Sequence, residues 1–218
     1  MLIDWLNRLK NEIRTVDIQP VTSPLLKVFM DRFKRNVLDL WLRKEELGSD
    51  GEVYNRLNFE VKRFFLSDVS LSFNLEFFLY IDPERISAVE IDLSAEDLNL
   101  FLRSWQEGKT NRNLNYATLG VCAKRDMKEV LKDCGAELMD PRTTNLKREF
   151  FSWNRGGIYI RRNDGCLAVI HNVAYYNPTE DVQPHEEQIR KYLRAREIWN
   201  SENSLEKWLE KDFYIYIY

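Results

Sequence analysis

The sequence predicts an α+β protein in which a helical N-terminal third, residues 1–66, packs on a mixed or mainly antiparallel sheet flanked by helices. Three observations carry this. Apolar residues recur at helical spacing through the first third; residues 71–93 and 147–176 alternate as strands do; and the chain closes on Phe213-Tyr-Ile-Tyr-Ile-Tyr218, an unbroken alternation. With no internal repeat and no low-complexity linker, a single domain over 1–218 is expected.

Leu2, Trp5, Leu6, Leu9 and Ile13 mark a short amphipathic helix over 2–14. Ser23 then caps and Pro24 opens a longer one, whose stripe Leu26, Phe29, Met30, Phe33, Val37, Leu40 and Trp41 runs on until Gly48. Val53, Leu57, Val61, Phe64 and Phe65 extend the helical reading to residue 66. Next, Leu71 to Ile81 and Val89 to Leu93 read as two antiparallel strands around the turn Asp82-Pro83-Glu84-Arg85. Ser94 with Asp97 forms a capping box for a helix that carries Leu98, Phe101, Leu102 and Trp105 and stops at Gly108.

Tyr116 to Cys122 reads as a strand, Asp126 to Cys134 as a short helix ending at Gly135. Residues 147–153, 157–162 and 166–176 read as a three-stranded meander, with turns at Asn154-Arg155-Gly156-Gly157 and Asn163-Asp164-Gly165. Pro184 opens a helix with Glu186 and Glu187 in its first turn, where the dipole favours them, and Ser204 caps a shorter one through Lys211. The tail 213–218 is a strand, added to the sheet or offered to a partner as an oligomer contact.

Composition bounds the chemistry. With 218 residues, 44% hydrophobic and 13% aromatic, the chain buries a substantial core. No stretch approaches the ~18 uncharged apolar residues of a membrane span, and the N-terminus lacks a signal peptide's pattern, so a soluble cytoplasmic protein is expected. Cys122, Cys134 and Cys166, with only His171 and His185 beside them, show no metal-ligand spacing.

The net charge of −3 conceals two opposed blocks. Residues 82–107 hold seven acids against Arg85 and Arg103. Residues 141–163 hold Arg142, Lys147, Arg148, Arg155, Arg161 and Arg162 against Glu149, interleaved with Phe150, Phe151, Trp153 and Tyr159. Basic side chains among aromatics can follow a phosphate backbone and stack bases.

The hairpin over 71–93 makes the sharpest chemical statement. A four-residue loop would drive carboxylates into the core, whereas a five-residue loop pairs Leu79 with Val89 and Phe77 with Ile91. That register sets Glu76 opposite Asp92 with Glu90 diagonal to it, gathering three acids on the polar face. Like charges across a strand pair repel, so the cluster calls for basic side chains or a divalent cation of the kind phosphoryl-transfer sites use.

Ala88-Val-Glu-Ile-Asp-Leu-Ser-Ala-Glu-Asp-Leu98 resembles the metal-binding strand of archaeo-eukaryotic-type primases, which ends in two carboxylates one residue apart before a helix. In that resemblance Ser152 to Tyr159 corresponds to the nucleotide-contacting segment, with Tyr159 near the family's histidine position. The predicted order of helix, hairpin, helix and strand is similar to that of restriction-like nucleases. That likeness implies Glu60 beside Glu90 and Asp92, with Lys124 or Arg125 in place of the family's lysine.

Two functional expectations follow. The first is an intracellular accessory protein that binds a protein partner through its acidic and basic-aromatic surfaces and needs no cofactor. The second is a nucleic-acid enzyme with Mg²⁺ or Mn²⁺ on Glu76, Glu90 and Asp92, and with Arg148, Arg155, Arg161, Arg162 and Trp153 on the nucleic acid.

Overall fold

The computed structural model describes residues 2–44, 53–68, 73–148, 152–173, 179–201 and 205–218. The elements are α1 (Leu2–Arg8), β1 (Ile13–Val21), α2 (Ser23–Arg32), β2 (Val37–Lys44), β3 (Val61–Ser67), α3 (Leu75–Tyr80), β4 (Arg85–Ile91), α4 (Ala95–Gln106) and β5 (Tyr116–Asp126). They continue with α5 (Met127–Val130), β6 (Glu137–Met139), β7 (Asn145–Arg148), β8 (Ser152–Arg155), β9 (Gly157–Arg161), β10 (Leu167–His171), α6 (Glu186–Asn200) and β11 (Leu209–Ile217). Nine strands form one sheet in the order β1-β2-β3-β4-β5-β11-β10-β9-β6, and β7 pairs with β8 alone.

The first five strands are parallel and lie side by side in chain order. Crossovers between parallel strands are right-handed almost without exception, so a sheet that grows in one direction receives all its connections on one face. Burial agrees. Leu26, Phe29 and Phe33 of α2 and its exit, Phe77 and Phe78 of α3, and Leu98, Phe101 and Trp105 of α4 share one apolar cluster with Leu40, Phe65, Ile86, Ala117 and Leu119. From β5 onward the sheet is antiparallel.

The first third is therefore not helical. α1 and α2 lie within predicted helices, but β1 fills the stretch between them, and β2 and β3 replace the rest of the helical reading; for β2 the reason is visible at the end of α2. Phe33 N–H closes the last turn on Phe29 O at 2.9 Å. Lys34 N–H is then taken by Asn7 Oδ1 at 3.0 Å, and the Arg35 guanidinium reaches Asn11 O at 3.0 Å. Beyond this exit Leu40 and Leu42 point to the core and Trp41 to the other face. Apolar residues at 37, 40 and 41 satisfy a helical template, but the pair at 40 and 42 is what the core uses. Gly48, the predicted stop of the long helix, lies outside the described residues.

The predicted hairpin fails for the converse reason. Leu75–Tyr80 is a helix, capped by Asn74, whose side chain accepts from Phe77 N–H at 3.1 Å. Phe77 and Phe78 are adjacent and both fully buried, an arrangement open to a helix and closed to a half-exposed strand. Phe73 and Phe77, four apart, bring their rings to 4.2 Å. Leu71, where the predicted strand began, lies outside the described residues.

Several expectations agree with the structure. Ser94 and Asp97 form the capping box of α4, β9 and β10 form a hairpin across 162–166, and α6 follows Pro184. The predicted strand 147–153 is instead split between β7 and β8. The helix expected up to Lys211 is replaced by β11 from Leu209, and its cap Ser204 lies outside the described residues. β11 lies inside the sheet, hydrogen-bonded to β5 on one side and β10 on the other. Both its edges are used, so 213–218 has no free edge for an oligomer contact.

One corner of β4 is strained. Ala88 pairs with Leu119 and Ile91 with Val121, so Val89 and Glu90 together oppose Gly120. Such a bulge places one residue at positive φ, a position suited to glycine, and here Glu90 holds it at φ 57°. Glu90→Gly is expected to raise stability by about 0.5–1 kcal/mol, the relieved left-handed strain less the entropy glycine loses. Thermal unfolding checks this, and a lowered midpoint would mean that the carboxylate, not the backbone, holds the corner.

Candidate partner-binding face

The face without helices carries side chains that pair across the strands in register. One row runs Thr15, Asp39, Phe64, Arg85, Tyr116, Tyr216, and the next runs Asp17, Trp41, Leu66, Ser87, Thr118, Tyr214. Trp41, Phe64, Leu66, Tyr116 and Tyr214 are all half-buried. Alternation dictates this, since the neighbours Leu40, Phe65 and Ala117 are spent on the core.

The aromatic groups are held rather than loose. Trp41 and Phe64 meet edge to face at 6.4 Å, and the Arg43 guanidinium lies 4.7 Å above the Trp41 ring. Arg43 also faces Asp17 at 3.5 Å. Tyr116 and Tyr216 stack at 5.0 Å, and the Thr118 and Tyr116 hydroxyls are 2.6 Å apart. Trp41 Nε1 is buried without a hydrogen-bond partner.

Charges of both signs lie among them. Asp39 is buried beneath Arg63, whose Nε donates at 2.8 Å, and Thr15 Oγ1 donates to it at 3.1 Å. The Arg63 hydrogen bond holds the Asp39 carboxyl below its ordinary range, against the opposing effect of burial. Burial raises the Tyr214 hydroxyl, with Asp212 and Tyr116 adding to it. Across β10 and β9 the face closes: Val169 and Tyr159 are buried, and the Tyr159 hydroxyl is bonded by Thr144.

The acids singled out from sequence come from three places, α3, the β4 bulge and the segment after β4. Glu76 lies on α3 and accepts from Asn55 Nδ2 at 3.0 Å. Glu90 occupies the bulge, and Asp92 follows β4, 3.6 Å from Arg125, which also donates to Leu93 O at 2.7 Å. The Cys122 thiol donates to Glu90 O at 3.1 Å and is raised first by burial, then by Asp92 and Glu90. Glu60 precedes β3 and bonds Asn36, whereas Asp92 follows β4; the strands are parallel, so the two stand at opposite ends of the sheet, ~20 Å apart. Among the described residues no group of three or more His, Cys, Asp or Glu is placed to hold a metal ion.

The arginines are likewise divided. Arg155 is buried before β9, while Arg162 follows it at the far end, 5.3 Å from the Trp105 ring and bonded to Asp164 at 3.0 Å. Arg142 is taken by Asp140 at 2.6 Å. Arg161 is exposed and Trp153 half-buried, and β7 carries the backbone of Arg148. Phe150, Phe151 and the Arg148 side chain lie outside the described residues.

Sequence reasoning missed the aromatic rows because it missed β1 to β3. The signal was present as a spaced recurrence. Val16, Leu40, Phe65, Ile86 and Ala117 stand in register at intervals of 24, 25, 21 and 31 residues, and each has a second core-facing residue two positions on. Such recurrence is the spacing of parallel strands joined by crossovers of a dozen or more residues.

Among the described residues no helix is long and apolar enough to cross a membrane. Residues 54–119 match the family model described as F-box associated. The match spans β3, α3, β4, α4 and the start of β5, the middle of the open face. No curated protein and no solved structure matched the chain. The family match supports a role in protein interaction.

Proposed function

We propose that this chain is an interaction module that presents the helix-free face of its sheet to a protein partner. The observation that carries the reading is the pair of in-register rows, with Trp41, Phe64, Tyr116 and Tyr214 half-buried among charges of both signs. Trp, Tyr and Arg dominate the energetics of protein interfaces, because rigid rings bury large areas at low entropic cost. The mixed charge suits a protein surface with apolar patches between ionic groups; a phosphate backbone would call for a continuous basic stripe. The matched family's description, F-box associated, supports the same reading, and its matched residues supply the central strands. The reading requires no cofactor.

The test is comparative. A partner isolated with the wild-type chain is purified, and its affinity is measured for wild type, for Phe64→Ser plus Tyr116→Ser, and for Leu100→Ser, an exposed position on α4. The double variant should bind at least about tenfold more weakly at near-unchanged melting temperature, with Leu100→Ser unchanged. Equal binding by the double variant, or equal loss in the α4 control, would overturn the assignment of the face.

A further inference from the structure

A small pocket lies beyond the Tyr214 end of the open face, where Met139 at the end of β6, Gly157 at the start of β9 and His171 at the end of β10, paired with Tyr214, meet α6. Its free volume is about 60 Å³, walled by Leu138, Ile158, Ile170, Ala195 and Trp208. Three polar side chains line it from positions more than nine-tenths buried: Arg155, 7% exposed, Gln188, 6% exposed, and His171, 8% exposed.

Arg155 and Gln188 each keep a buried polar atom that the protein does not satisfy. Gln188 Nε2 donates to Arg155 O at 2.7 Å, which fixes the amide so that Oε1 is the free acceptor, and that atom has no partner. Arg155 Nη2 donates to Glu180 O, but Nε has no acceptor. Among the described residues no carboxylate forms an ion pair with Arg155. A buried guanidinium lacking a counter-charge, and buried polar atoms lacking partners, are both costly.

The chemistry of the missing occupant follows from these atoms. It must carry negative charge and an acceptor for Arg155, together with a donor for Gln188 Oε1. Water supplies the hydrogen bonds but not the charge. Inorganic phosphate supplies charge and, through the P–OH it keeps at neutral pH, a donor, so it is the competitor that the titration below must separate. A carboxylate with an N–H on the adjacent carbon supplies all three, and that is the last residue of a polypeptide. Lys191 also lines the pocket, but it is paired with Glu187 at 3.2 Å. Nearby Glu210 is occupied by Trp208 Nε1 at 2.7 Å and Asn172 Nδ2 at 2.5 Å.

We infer that this pocket binds the C-terminal carboxylate of a partner polypeptide, with the carboxylate on Arg155 and the terminal amide N–H on Gln188 Oε1. The inference rests on the protein-interaction reading and adds a second contact to it, specific for a chain end.

The experiment titrates the isotope-labelled full chain with N-acetylalanine, N-acetylalaninamide, propionate and inorganic phosphate, following the Gln188 side-chain amide and the Gly157 backbone amide by NMR. N-acetylalanine should give saturable shifts at both. The amide, which lacks the charge, and propionate, which lacks the N–H, should each bind at least about tenfold more weakly. Arg155→Lys should bind N-acetylalanine at least about tenfold more weakly as well. Should that variant fail to fold, the four probes on the wild-type chain decide alone. No saturable shift, equal shifts from the amide, or phosphate binding as tightly as N-acetylalanine would overturn the inference. The Phe64→Ser plus Tyr116→Ser variant should bind N-acetylalanine as wild type does, so failure of the pocket and failure of the face are read separately.

Discussion

Phe65→Ala is expected to lower the unfolding free energy by about 3–5 kcal/mol, the range for removing a fully buried aromatic ring. Phe65 sits in β3 with no exposed surface, between Leu40 of β2 and Ile86 of β4. Its ring meets Phe73 at 5.6 Å and Phe77 at 5.3 Å, so one side chain fastens α3 to three strands. A whole domain of this kind is stable by only about 5–15 kcal/mol, so the loss is a large fraction of the total. Urea or thermal unfolding measures it, with a midpoint drop of about 6–20 °C for a chain of this length. A loss below about 1 kcal/mol would mean that α3 does not seat on β3 as described.

Gly157→Ala is expected to cost about 2–4 kcal/mol through a different mechanism, backbone strain combined with overpacking. Gly157 has φ +98°, a conformation L side chains rarely adopt. A Cβ there would stand 2.9 Å from His171 Cε1 and 2.9 Å from Val169 Cγ1. Val169 is fully buried and His171 nearly so, which leaves little room to yield. The substitution should lower the melting temperature and shift the His171 ring signals together. A neutral result would show that β9 enters the sheet in another conformation. The contrast with Glu90→Gly is instructive, because the two changes cross the same conformational boundary in opposite directions.

The features read correctly from sequence are those decided within a few residues. The Ser94–Asp97 box, the hairpin turn of Asn163-Asp164-Gly165 and the start of α6 behind Pro184 each depend on local hydrogen bonding or a restricted φ. The alternating tail was legible as a strand for the same reason. Its place in the middle of the sheet was not, since pairing with β5 and β10 is a choice between distant segments. The candidate face shows the same division. Trp41 and Phe64 were counted into apolar helical stripes, and only the parallel pairing of β2 with β3 turned them to the outside beside one another.

The acids and arginines show why charge blocks are weak guides. Glu76 and Asp92 are near in sequence, but a helix stands where a hairpin was expected, and Asp92 pairs with Arg125 instead. Arg155 and Arg162 belong to one basic block, yet Arg155 ends β8 buried in a pocket, and Arg162 follows β9 bonded to Asp164.

By itself, then, the amino-acid order determined the Ser94–Asp97 cap, the turn at 163–165, the start of α6 and the apolar content of one large core, whereas α2 is capped by Thr22 and not by Ser23. The tertiary structure alone decided whether Leu40 and Phe65 lay on helices or strands, which face Trp41 and Tyr116 took, and that Arg155 would be enclosed without a counter-charge. The reason is energetic: apolar spacings at 37, 40, 41 and 42 fit two periodicities nearly equally, and local preferences differ by only ~1 kcal/mol or less per residue. Burial of the core faces of five parallel strands beneath their helices exceeds that difference many times over.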